Sequence, residues 1–331
     1  MNKSIFREVS ISLIIAILII LALEGVSRII YTPSHLDKIM AVLEENHSRF
    51  WKVKSNLHQD FFGAQVSTDS RGFRIGAADK TWSSAKMRVA LMGASPSFGW
   101  GVSNQETYCS KISTYSDNHI ATRNFSQIGY SSYQGTKLID EVIKSKPTHI
   151  LISYVINDLD YYRFFYSDNV PDKEVQAKDQ SIITLRNFAK GLIFPKLFFK
   201  FLKSNQSSIK LDRETRVTKE DYISNINSLV EKIKSNNITP ILIKFPVNMP
   251  LQENTEGDIQ KIQNARIRKR GLEYNLALQN FANEKSIKLI DLTEVVRTTN
   301  KYLFLDPNGD TIHPNIEGHD LFAKKILKSI L

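Results

Sequence analysis

Cysteine is nearly absent, with Cys109 alone among 331 residues. A single thiol excludes an intramolecular disulfide framework and any multi-cysteine metal site. Internal repeats, low-complexity tracts and a Pro/Gly/Ser-rich linker through the middle of the chain are lacking too. One main domain of about 250 residues with attachments is the expectation. The formal charge is +10, yet the basic residues are spread along the chain, with no arginine-rich arm and no RNA- or DNA-binding motif. That balance fits an anionic membrane surface better than nucleic acid.

Charge is missing altogether from Val9–Leu23, VSISLIIAILIILAL. A spanning helix needs about 20 residues. The apolar pattern resumes through Ile29, Ile30 and Tyr31, so Val9–Tyr31 is long enough if Glu24 and Arg28 lie near the far interface. One helical turn apart, those two can pair there. Lys3 and Arg7 precede the run, which puts the N-terminus in the cytoplasm and the rest outside. A cleaved signal peptide is the competing reading, but no clear A-x-A site follows. Residues 1–31 are therefore expected to be an uncleaved single-pass anchor.

Residues 32–80 read as an irregular linker or accessory segment, with VSTDSRGFRIG (66–76) as a turn-rich entry to the main domain at 81–331. Strand patterns at 87–93, 123–129, 149–155, 239–247 and 287–292 then alternate with helical ones at 104–117, 132–146, 219–236, 258–285 and 315–330. Short apolar runs between amphipathic helices imply a mainly parallel sheet covered on both faces, a doubly wound three-layer α/β/α domain. The rhythm breaks at about 161–218, where LRNFAKGLIFPKLFFKFLK (185–203) reads as a helical insertion packed on the core. The alternative is a basic amphipathic surface that touches lipid or covers the site.

Open α/β sheets bind ligands at the carboxyl ends of their strands. Four segments fall there: Gly93–Ser95, Gly129, Asn157–Asp158 and Asp310–His313. In DPNGDTIHPN (306–315) an aspartate stands three residues before a histidine, in a loop closed by Pro314. A serine hydroxyl needs a base to take its proton, and the base needs an acceptor on its other ring nitrogen. His313 and Asp310 can supply both, although alone they would serve as a turn histidine and a helix cap. The other six histidines have no comparable partner and loop position.

The nucleophile is expected at Ser95, which follows a strand and the small pair Gly93-Ala94; Ser97 is the less favoured neighbour. The G-x-S-x-G elbow of α/β-hydrolases uses the N–H of the residue after the serine. Here that residue is Pro96, which has no N–H. Candidate oxyanion donors are instead the N–H groups of Ser95 and Gly129 and the side-chain amide of Asn157. Asn157 would equally serve as the N-cap of the segment that follows.

The ordered set GAS, Gly129, Asn157-Asp158 and Asp310-x-x-His313 resembles the SGNH hydrolases, also called GDSL-type esterases and lipases, over roughly residues 66–331. DSRGFR (69–74), SFGWGV (97–102) with ETY (106–108), and HPNIEGH (313–319) are similar to the family's membrane-anchored bacterial branch. The resemblance implies acyl-ester chemistry with Ser95 as nucleophile, His313 as base and Asp310 as its orienting partner. Ser95, Gly129 and Asn157 would then form the oxyanion hole. Two positions depart from the pattern: Ala94 stands where the family has aspartate, and Val155 where it has glycine.

The reading is a serine esterase, held by its N-terminal helix in a bacterial cytoplasmic membrane with the catalytic domain outside. It would remove a small acyl group, such as acetyl, from a glycan or lipid-linked sugar. Neither a cofactor nor a metal is expected. Alternatives are an O-acyltransferase using the same triad on a cell-surface polysaccharide, a catalytically inactive carbohydrate-binding or scaffold protein, and a lipase acting on the bilayer.

Overall fold

In Met87–Gly93 every residue from Val89 onward is buried, so the run fits only the interior of a sheet covered on both sides. A computed structural model of the chain describes residues 3–77, 81–117, 119–159, 163–166, 170–189, 191–202, 215–247, 259–307 and 309–331. Its elements begin with α1 (Lys3–Ile30), α2 (His35–Val42), β1 (Leu43–Asn46), β2 (Phe50–Val53), β3 (His58–Phe61) and β4 (Ala64–Ser67). Next come β5 (Met87–Gly93), α3 (Ser95–Phe98), α4 (Tyr108–Tyr115), β6 (Ile120–Asn124), α5 (Ser132–Lys144), β7 (His149–Ser153) and α6 (Ile156–Leu159). The remainder is α7 (Gln180–Ala189), α8 (Ile193–Leu202), α9 (Lys219–Lys234), β8 (Thr239–Lys244), α10 (Ile259–Glu284), β9 (Leu289–Asp291), α11 (Thr293–Thr298) and α12 (Ile316–Ile330).

The chain forms two compact units, Met1–Ala41 with Lys178–Lys210, and Val42–Ala177 with Leu211–Leu331. In the first, α1 packs on α8. Arg7–Ile30 is long and apolar enough to cross a membrane, with a mean hydropathy of 2.7. Glu24 and Arg28 pair at 2.8 Å. The Glu24 carboxylate also accepts the N–H groups of Ile193 and Phe194, and Arg28 donates to the Gly191 carbonyl. These bonds satisfy the orphan donors that open α8.

Part of the insertion expected at 161–218 lies outside the described residues. Its ends, around Asp172 and Arg216, belong to the sheet unit, whereas Lys178–Lys210 groups with the N-terminal helix. Both α1 and α8 are strongly apolar in sequence, α8 reading IFPKLFFKFL.

In the second unit the parallel strand order is β6-β5-β7-β8-β9. The chain moves one way from β5 to β6 and the other way from β6 onward. Right-handed crossovers therefore place α4 on one face and α5, α9 and α10 on the other, and α12 packs on α4. This order has its switch point between β5 and β7, where ligands of open sheets bind.

Two of the sequence expectations change for identifiable reasons. The ladder of β6 spans Ile120–Asn124 rather than 123–129, because the chain beyond Asn124 bends away while still donating from Phe125 to Leu91 and from Gln127 to Gly93. Residues 43–67 are not irregular: β1–β2 and β3–β4 are antiparallel hairpins. Strands of four residues are too short to show a period in the sequence.

Candidate active site

Ser95 follows β5 directly and opens α3, with Pro96 in the first turn, where its missing N–H costs no helical bond. Gly93 carries no side chain because a Cβ there would lie 2.5 Å from Ser97 Oγ and 2.7 Å from the Ser153 carbonyl oxygen. The two serines part company here. Ser97 is buried and its Oγ accepts the Tyr108 hydroxyl at 2.7 Å, a packing role. Ser95 Oγ lies 2.8 Å from His313 Nε2.

His313 Nδ1 lies 2.7 Å from Asp310 Oδ2. A neutral ring with its proton on Nδ1 satisfies both neighbours, donating to Asp310 and accepting from the Ser95 hydroxyl. Asp310 Oδ1 accepts the backbone N–H groups of Ile312 and His313. Burial pushes the Asp310 carboxyl up, but the bonds from the His313 ring and the two amides outweigh it and hold it below the usual carboxylate range. The capping role that competed for Asp310 falls to Asn315, whose side chain accepts from Gly318 N–H at the start of α12. The loop closes through Leu305 N–H to the His313 carbonyl and Asp306 N–H to the Asp310 carbonyl.

On the other side of Ser95, Gly129 adopts φ +76°, a conformation that favours glycine. A Cβ there would lie 2.5 Å from the Phe164 ring. Asn157, within α6, donates through Nδ2 to the Tyr130 carbonyl at 3.1 Å. It thus ties the end of β7 to the Gly129 turn instead of capping its own helix. Among the described residues the N–H groups of Ser95 and Gly129 find no acceptor. Because β5 lies between β6 and β7, the topology brings Ser95 between Gly129 and Asn157 at one sheet edge.

The neighbouring motifs hold this arrangement in place. Arg74 of DSRGFR is buried and donates to the carbonyls of Phe98, Gly99 and Val102, threading the SFGWGV loop. His319 of HPNIEGH accepts the Tyr108 N–H through Nδ1, and burial pushes its pKa down to about 3, so the ring is neutral. Ala94 and Val155, the two departures, are both buried.

Sequence reading missed four contributors. Trp100 stacks on the His313 ring at 4.8 Å and 14°, and Phe62 stacks on Trp100 at 4.8 Å and 17°. Trp51 donates from Nε1 to the Ile128 carbonyl at 2.8 Å, beside the Gly129 turn. Arg216 donates to the Gly129 carbonyl at 2.9 Å and, with Arg163, pairs with the buried Asp172. The aromatic richness of RFW (49–51) and DFF (60–62) is the only signal the sequence offers for two of them.

No curated protein matches the sequence. Among solved structures the chain is similar to a GDSL-like lipase from Bacteroides thetaiotaomicron, at 16% identity over 78% of this chain and 93% of that one, TM-score 0.44. It is also similar to a catalytic mutant of an acetylxylan esterase from Geobacillus stearothermophilus, at 17% identity over 74% and 94%, TM-score 0.45. A psychrotrophic esterase from Pseudoalteromonas sp. matches at 14% identity over 73% and 96%, TM-score 0.42. The model of the GDSL-like lipase/acylhydrolase family matches residues 91–321, a span that runs from the strand before Ser95 past His313. By that match the chain belongs to the GDSL-like lipase/acylhydrolase family, as a serine hydrolase of the SGNH type.

Proposed function

We propose that the protein is an esterase that cleaves a small acyl ester through Ser95, with His313 as base and Asp310 holding the imidazole. The observation that carries this reading is the unbroken chain of hydrogen bonds from Ser95 Oγ through His313 to Asp310, at 2.8 and 2.7 Å, at the switch point of the sheet. Ser95 Oγ bonds to the ester carbon while its proton passes to His313 Nε2. The oxyanion is met by the N–H groups of Ser95 and Gly129 and by the Asn157 amide. Collapse breaks the bond to the alkoxide, which takes the proton from His313. Water then attacks the acyl-enzyme, giving its proton to His313, and Ser95 leaves with that proton.

The acyl group in this reading is acetyl, on a glycan or lipid-linked sugar. Val155, buried, stands two residues before Asn157 in place of the family's glycine, and that added bulk supports a short acyl group. The charge-free run Val9–Leu23 within α1, with Lys3 and Arg7 before it, supports a membrane anchor with the esterase unit outside the cytoplasm. The test is turnover of p-nitrophenyl acetate against longer acyl chains, with release of free acetate followed from an acetylated glycan. Acetate release that vanishes in Ser95→Ala supports the reading; unchanged turnover in that variant refutes it. Acetylated sugar formed faster than free acetate in dilute glycan would replace esterase by O-acyltransferase, which uses the same acyl-enzyme.

A further inference from the structure

Three successive carbonyls at the Gly129 turn are each held by a side chain from a different part of the molecule. Ile128 accepts from Trp51 Nε1 at 2.8 Å, Gly129 from Arg216 Nη1 at 2.9 Å and Tyr130 from Asn157 Nδ2 at 3.1 Å. A trans peptide is planar, so its C=O and N–H point in opposite directions. The carbonyl of Ile128 and the N–H of Gly129 belong to one peptide. Whatever holds the first aims the second.

That peptide needs holding. Gly129 has no Cβ to restrict it, and a glycine allows its flanking peptides to rotate at little cost. Trp51 is itself locked. It is fully buried, its carbonyl accepts the Tyr130 hydroxyl at 2.5 Å, and its ring meets Tyr130 and Phe164 edge-on. The Arg216 guanidinium lies over the same ring at 5.4 Å. Next along β2, Val53 N–H donates to Gln127 Oε1 at 2.8 Å, fixing the entry to the turn. The Trp51 ring also stands 3.3 Å from where a Gly129 Cβ would be, so it fills the space behind the glycine.

We propose that Trp51 is a positioning residue for the oxyanion site: its indole N–H holds the Ile128 carbonyl and thereby aims the Gly129 N–H at the substrate's carbonyl oxygen. The β1–β2 hairpin is then part of the catalytic apparatus rather than an appendage. This rests on the reading of Gly129 as an oxyanion donor.

The experiment replaces Trp51 with 3-benzothienylalanine, which keeps the bicyclic shape and removes only the N–H, with Trp51→Phe as the simpler companion. Turnover of p-nitrophenyl acetate and inhibition by an alkylboronic acid, whose serine adduct mimics the tetrahedral oxyanion, are measured on the full chain. Removing an oxyanion donor costs about 10²–10³ in kcat, and misaiming one costs less. The expected result is a fall in kcat of about tenfold or more, KM within about twofold of the native value, and a loss of boronate affinity matching the loss in kcat/KM. Unchanged kcat and boronate affinity overturn the proposal, as does a change confined to KM. If Trp51→Phe fails to fold, the isosteric variant decides alone. Ser95→Ala and Asn157→Ala separate the two levels. Should both lose turnover while the benzothienyl protein keeps it, only the role of Trp51 fails; should Ser95→Ala stay active, the active-site reading fails first and the proposal with it.

Discussion

Asp310 and His313 are three residues apart and hold each other within one loop, the carboxylate taking the ring and two backbone amides of the same loop. The Gly129 turn, on the other side of Ser95, is held from afar, by Trp51 77 residues earlier and Arg216 87 residues later. One half of the site is therefore assembled by short-range bonds that cost little chain entropy, and the other only when the hairpin, the insertion and the sheet have come together. In the proposed mechanism proton transfer falls to the local half and oxyanion stabilisation to the distant one.

Breaking the local half, or Ser95 to which it reaches, gives the largest effect. Ser95→Ala and His313→Ala are each expected to lower kcat by more than about 10⁴-fold while the thermal unfolding temperature changes little. Ser97→Ala, which removes only a partner of Tyr108, serves as the comparison in the same ester assay. If Ser97→Ala lost as much as Ser95→Ala, the assignment of nucleophile would be wrong.

Breaking the distant half gives less. Asn157→Ala is expected to lower kcat by about 10²–10³-fold with a smaller change in KM, because the amide acts on charge that develops in the transition state. A change confined to KM would recast Asn157 as a substrate-positioning group. Loosening the support of the local half is smaller again. Trp100→Leu removes the ring stacked on His313, a contact worth about 0.5–1.5 kcal/mol. Turnover should fall by up to about tenfold with the pH profile keeping its shape; an unchanged rate would show that the loop's own bonds suffice.

The smallest expected effect is on stability, at Asp158. Its Oδ1 accepts both the N–H and the hydroxyl of Ser132, whereas Oδ2 is buried without a partner among the described residues. Burial pushes its carboxyl up to about 7 from an ordinary 3.8. The folded protein then holds a proton that the unfolded chain releases, so this group's contribution is full below about pH 4, declines as pH rises and is gone above about 7. Asp158→Asn, which cannot ionise, should flatten this slope. The difference in unfolding temperature between the two proteins, a few degrees, is expected to widen from pH 5 to pH 8 in favour of the variant. A gap that stays constant with pH would show that Asp158 titrates in its ordinary range.

The doubly wound sheet was legible because each of its strands is a short apolar run bounded by amphipathic helices, and the helix patterns of 132–146 and 315–330 match α5 and α12 to within two residues at each end. The Asp310-x-x-His313 spacing was legible because both residues lie on one loop. The hairpins over 43–67 were not, since alternation over four residues is indistinguishable from chance. Nor was the grouping of Lys178–Lys210 with the N-terminal helix. Amphipathicity reveals that α8 must bury a face but not against what.

What the sequence determined by itself is whatever depends on composition, period and near neighbours. That covers the charge-free run of the first helix, the parallel sheet and the pairing of an acid with a histidine, because such features are decided within a few residues of chain. Only the tertiary structure decided that Trp51, Asn157 and Arg216 would hold three consecutive carbonyls of one turn, and that Phe62 would stack on Trp100 and Trp100 on His313. A hydrogen bond or a stacked ring is specified by distance and direction in space. Residues 77 positions apart acquire those only after the chain has folded.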